Sequence, residues 1–258
     1  MALATIRFLS PALGRYATYS AIVPDGTAPP QGYPVILQLH GASDDHRSWI
    51  ERSSLVERAL DLGAIIVLPD GGLSYWANLG PRERYEDFVI SDLLPHVAHI
   101  LPARPGTAAI GGLSMGGFGA LYLAARHPDR FASAWAHSAP LCPGELDELE
   151  ARHDTRLVDE LRAAIDRLKA TTIPVLGFDC GRDDPLLQGN RDLHERLGQN
   201  GLAHTYREHP GGHTWAYWNA HMPDAIAQHV RALGASTAGG ESIRPNGGEG
   251  LGSNVAKN

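Results

Sequence analysis

"AAIGGLSMGGFGALYLAARHP", residues 108–128, runs from an apolar segment through glycines into a helical pattern, with one serine at the join. Gly112-Leu113-Ser114-Met115-Gly116 matches G-x-S-x-G. The pentad gains weight only from a strand before it and a helix after it, and both patterns are present. Small flanking residues let strand and helix approach closely. The strained turn between them lifts a hydroxyl out of the sheet edge at a helix N-terminus. There the first N–H groups lack intrahelical partners, and the positive helix end faces any developing oxyanion. Ser114 therefore reads as a nucleophile. The plainer reading is a glycine-rich packing turn, and the rest of the chain has to decide between them.

A serine hydroxyl needs a base, and the base needs an acid to orient it. The chain order that goes with this turn is Ser, then Asp or Glu, then His. Thirteen histidines make a chance candidate easy to find. His213, in "EHPGGHTWAYW", falls between the last strand pattern and the last helix pattern, where the base is expected. His96, His99, His194 and His229 fall on helical patterns and read as surface residues. The acid belongs just beyond the strand pattern "IPVLGFD". Asp179 is still inside that strand and reads as a structural residue. Asp183 and Asp184 lie in the loop "CGRDDPLL", at the C-terminal edge of a sheet where sites collect. Asp184 is the preferred acid, with Asp183 as a cap or surface charge. For the oxyanion, one donor is the N–H of Met115. The other is expected from "LQLHGASDDHRSWI", where Gly41 lets the backbone turn in close and Ala42 presents its N–H. His40 more naturally braces that loop than acts as a base. Trp76, Trp215 and Trp218 are candidates for a pocket wall, although Trp218 reads equally well as a core aromatic. His40, Gly41, Trp76 and Trp215 complete the candidate substrate surface.

Around this centre the chain alternates strands and helices. "TIRFLS" and "RYATYSAIVP" predict an antiparallel pair. "VILQLHG", "AIIVLPDGG", "TAAIGG", "FASAWAHS", "IPVLGFDCG" and "AHTYREHPGGH" predict further, mostly buried strands. Helical spacing covers "SWIERSSLVERALDLG" up to Gly63, "YEDFVISDLLPHVAHIL" with a bend or a boundary at Pro95, "NRDLHERLGQNG" and "WAYWNAHMPDAIAQHVRALG". The charged stretch from Gly144 to Ala170 predicts one or two surface helices, a candidate small cap. The expectation is an α/β protein: about eight strands in a mostly parallel sheet with helices on both faces. Residues 1–234 form the domain, and 235–258, rich in Gly, Ser and Asn, are expected to be a disordered tail.

The 258 residues are 43% hydrophobic and carry a net charge of −7. That suits one sizeable core and lacks the basic field that nucleic acid or anionic lipid requires. Two cysteines, Cys142 and Cys180, suggest neither a disulfide framework nor a CxxC metal site. With no secretory signal or membrane span visible, a cytoplasmic setting is expected. The composition leaves a homo-oligomer open.

These residues together resemble the esterase D family of α/β-hydrolases. The matching segments, in order, are "LHGASDDHRSW", "LPDGGLSYW", "YEDFVISDLLPHV", "IGGLSMGGFGAL", "CGRDDPLL" and "GGHTWAYW". They extend through most of residues 5–234. The resemblance implies an α/β-hydrolase fold and a serine carboxylesterase acting on small short-acyl or aryl esters without a cofactor or metal. An S-formylglutathione hydrolase-type thioesterase and an acyltransferase are the alternatives within that family. By position, the family's triad falls on Ser114, Asp184 and His213, and its oxyanion donors on Ala42 and Met115. The spacing C-G-x-x-D favours Asp184 over Asp183. One departure is His137-Ser138, where a Ser-Gly pair is expected.

Overall fold

The computed structural model describes residues 1–168 and 174–235. The expected tail lies outside the described residues apart from Ala235, as do positions 169–170 of the expected cap. Strands β1 (Ala2–Ser10), β2 (Arg15–Val23), β3 (Val35–Leu39), β4 (Ile65–Pro69), β5 (Ala108–Leu113), β6 (Phe131–His137), β7 (Val175–Gly181) and β8 (His204–His209) form one sheet. Their order is β1-β2-β4-β3-β5-β6-β7-β8. The β1–β2 and β2–β4 pairings are antiparallel, and all others are parallel. This is the α/β-hydrolase arrangement.

The central strands are mostly apolar because both of their faces are covered. Side chains alternate between faces along a strand, so one apolar run feeds two cores. Leu37 and Leu39 of β3, Val67 of β4 and Ile110 of β5 enter one core with Phe118 and Leu121. Ile36, Ile66 and Ala109, one residue out of phase, enter the other with Trp49, Leu55 and Ile226. Helix α5 (Met115–Arg126) covers the first face. Helices α1 (Ser48–Arg52), α2 (Leu55–Ala59) and α9 (Trp215–Leu233) cover the second.

Three local departures from the sequence pattern have physical causes. The helix expected over residues 48–63 is broken into α1 and α2. At the break, the Ser53 hydroxyl donates to the Trp49 carbonyl at 2.5 Å, while the N–H of Ser54 donates to Asn219 Oδ1 at 2.8 Å. Serine side chains here compete with the helical ladder, and α9 supplies the alternative acceptor. The helix around Pro95 continues instead of breaking. It starts as α3 (Tyr85–Asp87), widens into a π turn over Phe88–Leu93, and resumes as α4 (Leu94–Ile100). The N–H of Leu94 reaches back five residues to the Val89 carbonyl, so the wider turn accommodates the donor that Pro95 lacks. The charged stretch forms α6 (Asp147–His153) and α7 (Leu157–Arg167), separated by Asp154 in a left-handed conformation (φ 47°). Helix α7 is no free surface helix. Leu157, Leu161 and Ile165 are buried, and the Tyr122 hydroxyl of α5 donates to Glu160 at 2.8 Å.

The helix α8 (Leu187–Gln199) and β8 complete the far edge. No helix among the described residues is long and apolar enough to cross a membrane.

Candidate active site

Four loops converge where β3, β5, β7 and β8 end, at the carboxyl edge of the sheet. The central one is the turn from β5 into α5. Ser114 holds φ 51° and ψ −120°, a strained conformation for a residue with a side chain. Its backbone is fixed on both sides: its N–H donates to the His137 carbonyl at 2.8 Å, and its carbonyl accepts from the Phe118 N–H at 3.0 Å. The neighbouring glycines are there for proximity. A Cβ on Gly112 would stand 2.4 Å from the Gly116 carbonyl oxygen, and one on Gly116 would stand 2.5 Å from that of Leu39. The packing reading of the pentad is therefore correct as far as it goes. What it omits is the hydroxyl held between the glycines.

That hydroxyl has a partner. Ser114 Oγ lies 3.0 Å from His213 Nε2, and His213 Nδ1 lies 2.9 Å from Asp184 Oδ2. The structure thus brings together three residues spread over a hundred positions of sequence. His213 is 31% exposed, so substrate can reach it from one side while Trp218 packs edge-on against its ring at 4.9 Å. Asp184 is buried. Burial pushes its carboxyl up. Hydrogen bonding to His213 and from the Leu186 N–H, the latter at 2.9 Å, outweighs burial and holds it below the ordinary carboxylate range. Asp184 therefore stays ionised and accepts a proton donor on each oxygen. Asp183 points elsewhere. It is exposed, and its carboxylate accepts from the Gly211 N–H at 3.3 Å, which laces the loop after β7 to the loop after β8. Those loops meet so closely that a Cβ on Gly181 would fall 2.1 Å from the Gly211 carbonyl oxygen.

The loop after β3 packs against Ser114. A Cβ on Gly41 would meet Leu113 Cδ1 at 2.6 Å and the Ser114 Cβ at 3.5 Å. Ala42 follows directly, and Met115 is the first residue of α5, whose N–H has no place in the helical ladder. His40 is a strut for this loop. Its Nε2 accepts the Gly71 N–H at 2.8 Å, so Nδ1 carries the proton and donates to the Gly41 carbonyl at 2.8 Å. Burial lowers its pKa, which keeps this neutral tautomer.

The expectations for Trp76 and His40 require correction. Their side chains are 0% and 1% exposed and offer substrate no surface. For Trp76 the cause is packing. Gly71 and Gly119 leave a slot that the indole fills, with the ring lying 5.3 Å from His40. Trp218 is also buried, at 6% exposure. Trp215 is half-buried and stands at the rim, edge-on to Trp49 at 5.2 Å, with the Arg52 guanidinium 5.0 Å over its ring. The sequence pattern passed over Trp49 and Arg52. Their helix reads as ordinary surface until α9 is laid across it.

Near Ser114, His213 and Asp184 lies a second polar network that sequence reasoning reduced to one structural aspartate. Asp179 accepts from Trp135 Nε1 and faces His137 Nδ1, both at 2.7 Å, and accepts from the Tyr217 hydroxyl at 2.9 Å. Burial raises its carboxyl, but the facing His137 charge and the three hydrogen bonds outweigh it and hold the carboxyl below its usual value. The network ties β6 and β7 to α9 just behind His213. His137 also supplies the carbonyl that receives the Ser114 N–H, and Ser138 donates its N–H to the Asp179 carbonyl at 2.8 Å. Ser138 holds φ 50°, a conformation that glycine adopts without strain. This is the position where the resemblance called for glycine.

A group whose folded pKa is depressed stabilises the fold above its unfolded value and loses that contribution as pH falls through the folded value. Asp179→Asn should leave part of the buried set of Trp135, His137 and Tyr217 groups without its acceptor and lower stability by about 1–3 kcal/mol at neutral pH. At roughly 2–4 °C per kcal/mol, thermal denaturation should register the loss plainly. The gap between wild type and variant should narrow as pH falls below about 4. An unchanged melting temperature at pH 7 would remove the network from the stability of the fold.

The family model described as "Putative esterase" matches residues 10–229. An acetyl esterase of Caldicellulosiruptor saccharolyticus is 28% identical over an alignment spanning 88% of this chain and 97% of that protein. Esterase Rv1288 of Mycobacterium tuberculosis is 31% identical over 81% of this chain but only 55% of its own length. Among solved structures, an S-formylglutathione hydrolase (FrmB) from Staphylococcus aureus superposes with a TM-score of 0.78 at 24% identity, covering 89% of this chain and 98% of that one. A ferulic acid esterase gives 0.77 at 25% identity, covering 90% and 98%.

Proposed function

The chain belongs to the Esterase family and is an ester-hydrolysing enzyme, and we propose that Ser114, His213 and Asp184 carry its chemistry on small, uncharged short-acyl or aryl esters. The observation that carries this reading is the continuous hydrogen-bonded chain from Ser114 Oγ through His213 to Asp184. His213 Nε2 takes the Ser114 proton as Oγ attacks the ester carbonyl. Asp184 holds the Nδ1–H tautomer and stabilises the imidazolium. The N–H groups of Ala42 and Met115 receive the oxyanion, each worth about 10²–10³ in rate. The tetrahedral intermediate collapses, and His213 gives the proton to the departing alcohol. A water then attacks the acyl-enzyme with His213 as base, and the acid leaves with Ser114 restored. No step calls for a metal or organic cofactor.

Charge near the site favours a neutral ester over a thioester of glutathione. A cleft of about 340 Å³ is lined by Leu73, Tyr75, Glu145, Asp147 and Glu148 among others, with Arg152 as its one cationic side chain. Tyr75 of its wall packs edge-on against Phe118, one turn past Ser114, at 6.0 Å, and Glu145 of its wall lies near enough to Asp184 to feel its charge. Burial raises the Glu145 carboxyl, the Leu141 and Cys142 N–H groups oppose that, and the Asp184 charge adds to it. Anionic glutathione would meet like charge here. The acetyl esterase and ferulic acid esterase relatives agree with a small acyl or aryl group.

Turnover of p-nitrophenyl acetate, butyrate and octanoate, methyl ferulate and S-formylglutathione tests the reading. The short neutral esters should give the highest kcat/KM. A clear preference for S-formylglutathione would replace the proposal with the thioesterase alternative. Acceleration by an added alcohol, with ester exchanged rather than hydrolysed, would replace it with acyl transfer.

A further inference from the structure

We propose that His209, His221 and Asp224 form a binding site for a divalent transition-metal ion of the zinc class, placed so that the ion staples the two ends of the loop that carries His213. His209 is the last residue of β8, the edge strand. His221 and Asp224 are three residues apart on α9 and so share one helical face. One donor atom from each residue lies within 4.8 Å of the other two. A tetrahedral ion with bonds of about 2.1 Å holds its donors about 3.4 Å apart, so no pair needs to close by more than roughly 1.4 Å. Side-chain rotation of partly buried residues covers that.

The donor set is two imidazoles and one carboxylate. It suits zinc and its transition-metal neighbours, and it is a poor match for magnesium or calcium, which take oxygen ligands. The His209 and His221 rings stack nearly parallel, 9° apart with centroids 3.9 Å apart, so one ring has to turn for both nitrogens to converge on an ion. One feature marks the cluster as more than a chance meeting of side chains: His209 Nε2 is buried and has no hydrogen-bond partner among the described residues. A buried imidazole nitrogen without a partner is costly, and a metal bond would satisfy it.

The cation that faces the cluster at present is Arg207. It lies two residues before His209, on the same face of β8, and pairs with Asp224. Arg207 is 39% exposed, so its guanidinium can swing into solvent and surrender the carboxylate. It is therefore a competitor for the site, and removing it should improve metal binding.

Residues 210–214 run between β8 and α9 and contain His213. An ion held by His209 on one side and by His221 and Asp224 on the other would close this loop by a link independent of the triad. Binding to the folded state alone also stabilises it by mass action.

The test is titration of the chelator-treated full chain with ZnCl2, read by calorimetry and native mass spectrometry, with MgCl2 in parallel. One zinc per chain, a raised melting temperature and no magnesium response are expected. His221→Ala should weaken zinc binding by at least the ~10–100-fold that even a supporting contact is worth, with metal-free ester hydrolysis within about twofold of wild type. His209→Gln provides a second loss variant should the first fail to fold. Arg207→Gln should bind zinc more tightly than wild type, a result that a merely structural ion pair would not give. Absence of stoichiometric binding would overturn the proposal. So would unchanged affinity in the loss variants, unchanged or weaker affinity in Arg207→Gln, or zinc binding that persists in His221→Ala but disappears in His213→Ala. The last would place the ion on the triad.

Discussion

Ser114→Ala should abolish ester hydrolysis, lowering kcat by about 10⁶, while the protein melts close to the wild-type temperature. Both halves follow from the turn. Oγ is the only side-chain atom that the substitution removes, and its one hydrogen bond is to His213 Nε2. Without it no acyl-enzyme forms. The oxyanion donors and the substrate contacts can still contribute a residual 10³–10⁴ over water, so the remaining rate should be small but above background. The fold should survive because its dependence on this residue runs through the backbone. The N–H of Ser114 donates to His137 and its carbonyl accepts from Phe118, and alanine keeps both. Alanine carries a Cβ as serine does, so the strain at φ 51° is unchanged. Turnover of p-nitrophenyl acetate and a parallel thermal melt check the two halves separately. Substantial activity in a pure sample would remove Ser114 from the chemistry. A collapsed melting temperature would mean that the hydroxyl has a structural role that these contacts do not reveal.

The sheet was legible in the sequence because its inner strands are short, mostly apolar runs of five to seven residues, buried almost throughout. Residues 35–39, 65–69 and 108–113 announce burial on both faces without reference to anything distant. The meeting of Ser114, Asp184 and His213 was legible for a related reason: each occupies a loop directly after a strand. Ring packing was not legible. Trp76 is written next to an exposed-looking "GGLSY", and only Gly71 and Gly119, the latter over forty positions away, show that the indole is swallowed. The break at Ser53-Ser54 depends in the same way on Asn219. The Asp179 network needs β6, β7 and α9 side by side before its four polar groups become one cluster. His209, His221 and Asp224 looked like scattered members of a histidine-rich chain until β8 and α9 brought them together. What sequence pattern carries is local environment. What it cannot carry is which polar group from a remote segment arrives to complete that environment.

Asp184→Asn should lower kcat by about 10⁴, and Asp183→Asn by no more than a few-fold. The two aspartates are adjacent, so the contrast isolates geometry from charge. In Asp184→Asn, the Leu186 N–H still needs an acceptor, and the side-chain carbonyl oxygen is the only one available at that position. This fixes the amide orientation and turns its NH₂ group toward His213 Nδ1. A donor facing Nδ1 forces the proton onto Nε2, where it points at Ser114 Oγ. The imidazole then cannot accept the serine proton, although every heavy atom stays in place. KM should change little, because the lost interaction belongs to the transition state. The wild-type carboxyl is held below its ordinary value, so Asp184 stays ionised wherever the imidazole can serve as base, and the deficit should be present across the neutral range. Asp183 has no such leverage. It is exposed, it accepts one long hydrogen bond from the Gly211 N–H, and asparagine keeps an oxygen for that bond. Steady-state kinetics on one short-acyl ester decide the matter. A larger loss in Asp183→Asn than in Asp184→Asn would move the acid by one residue and require the loop to turn over in solution.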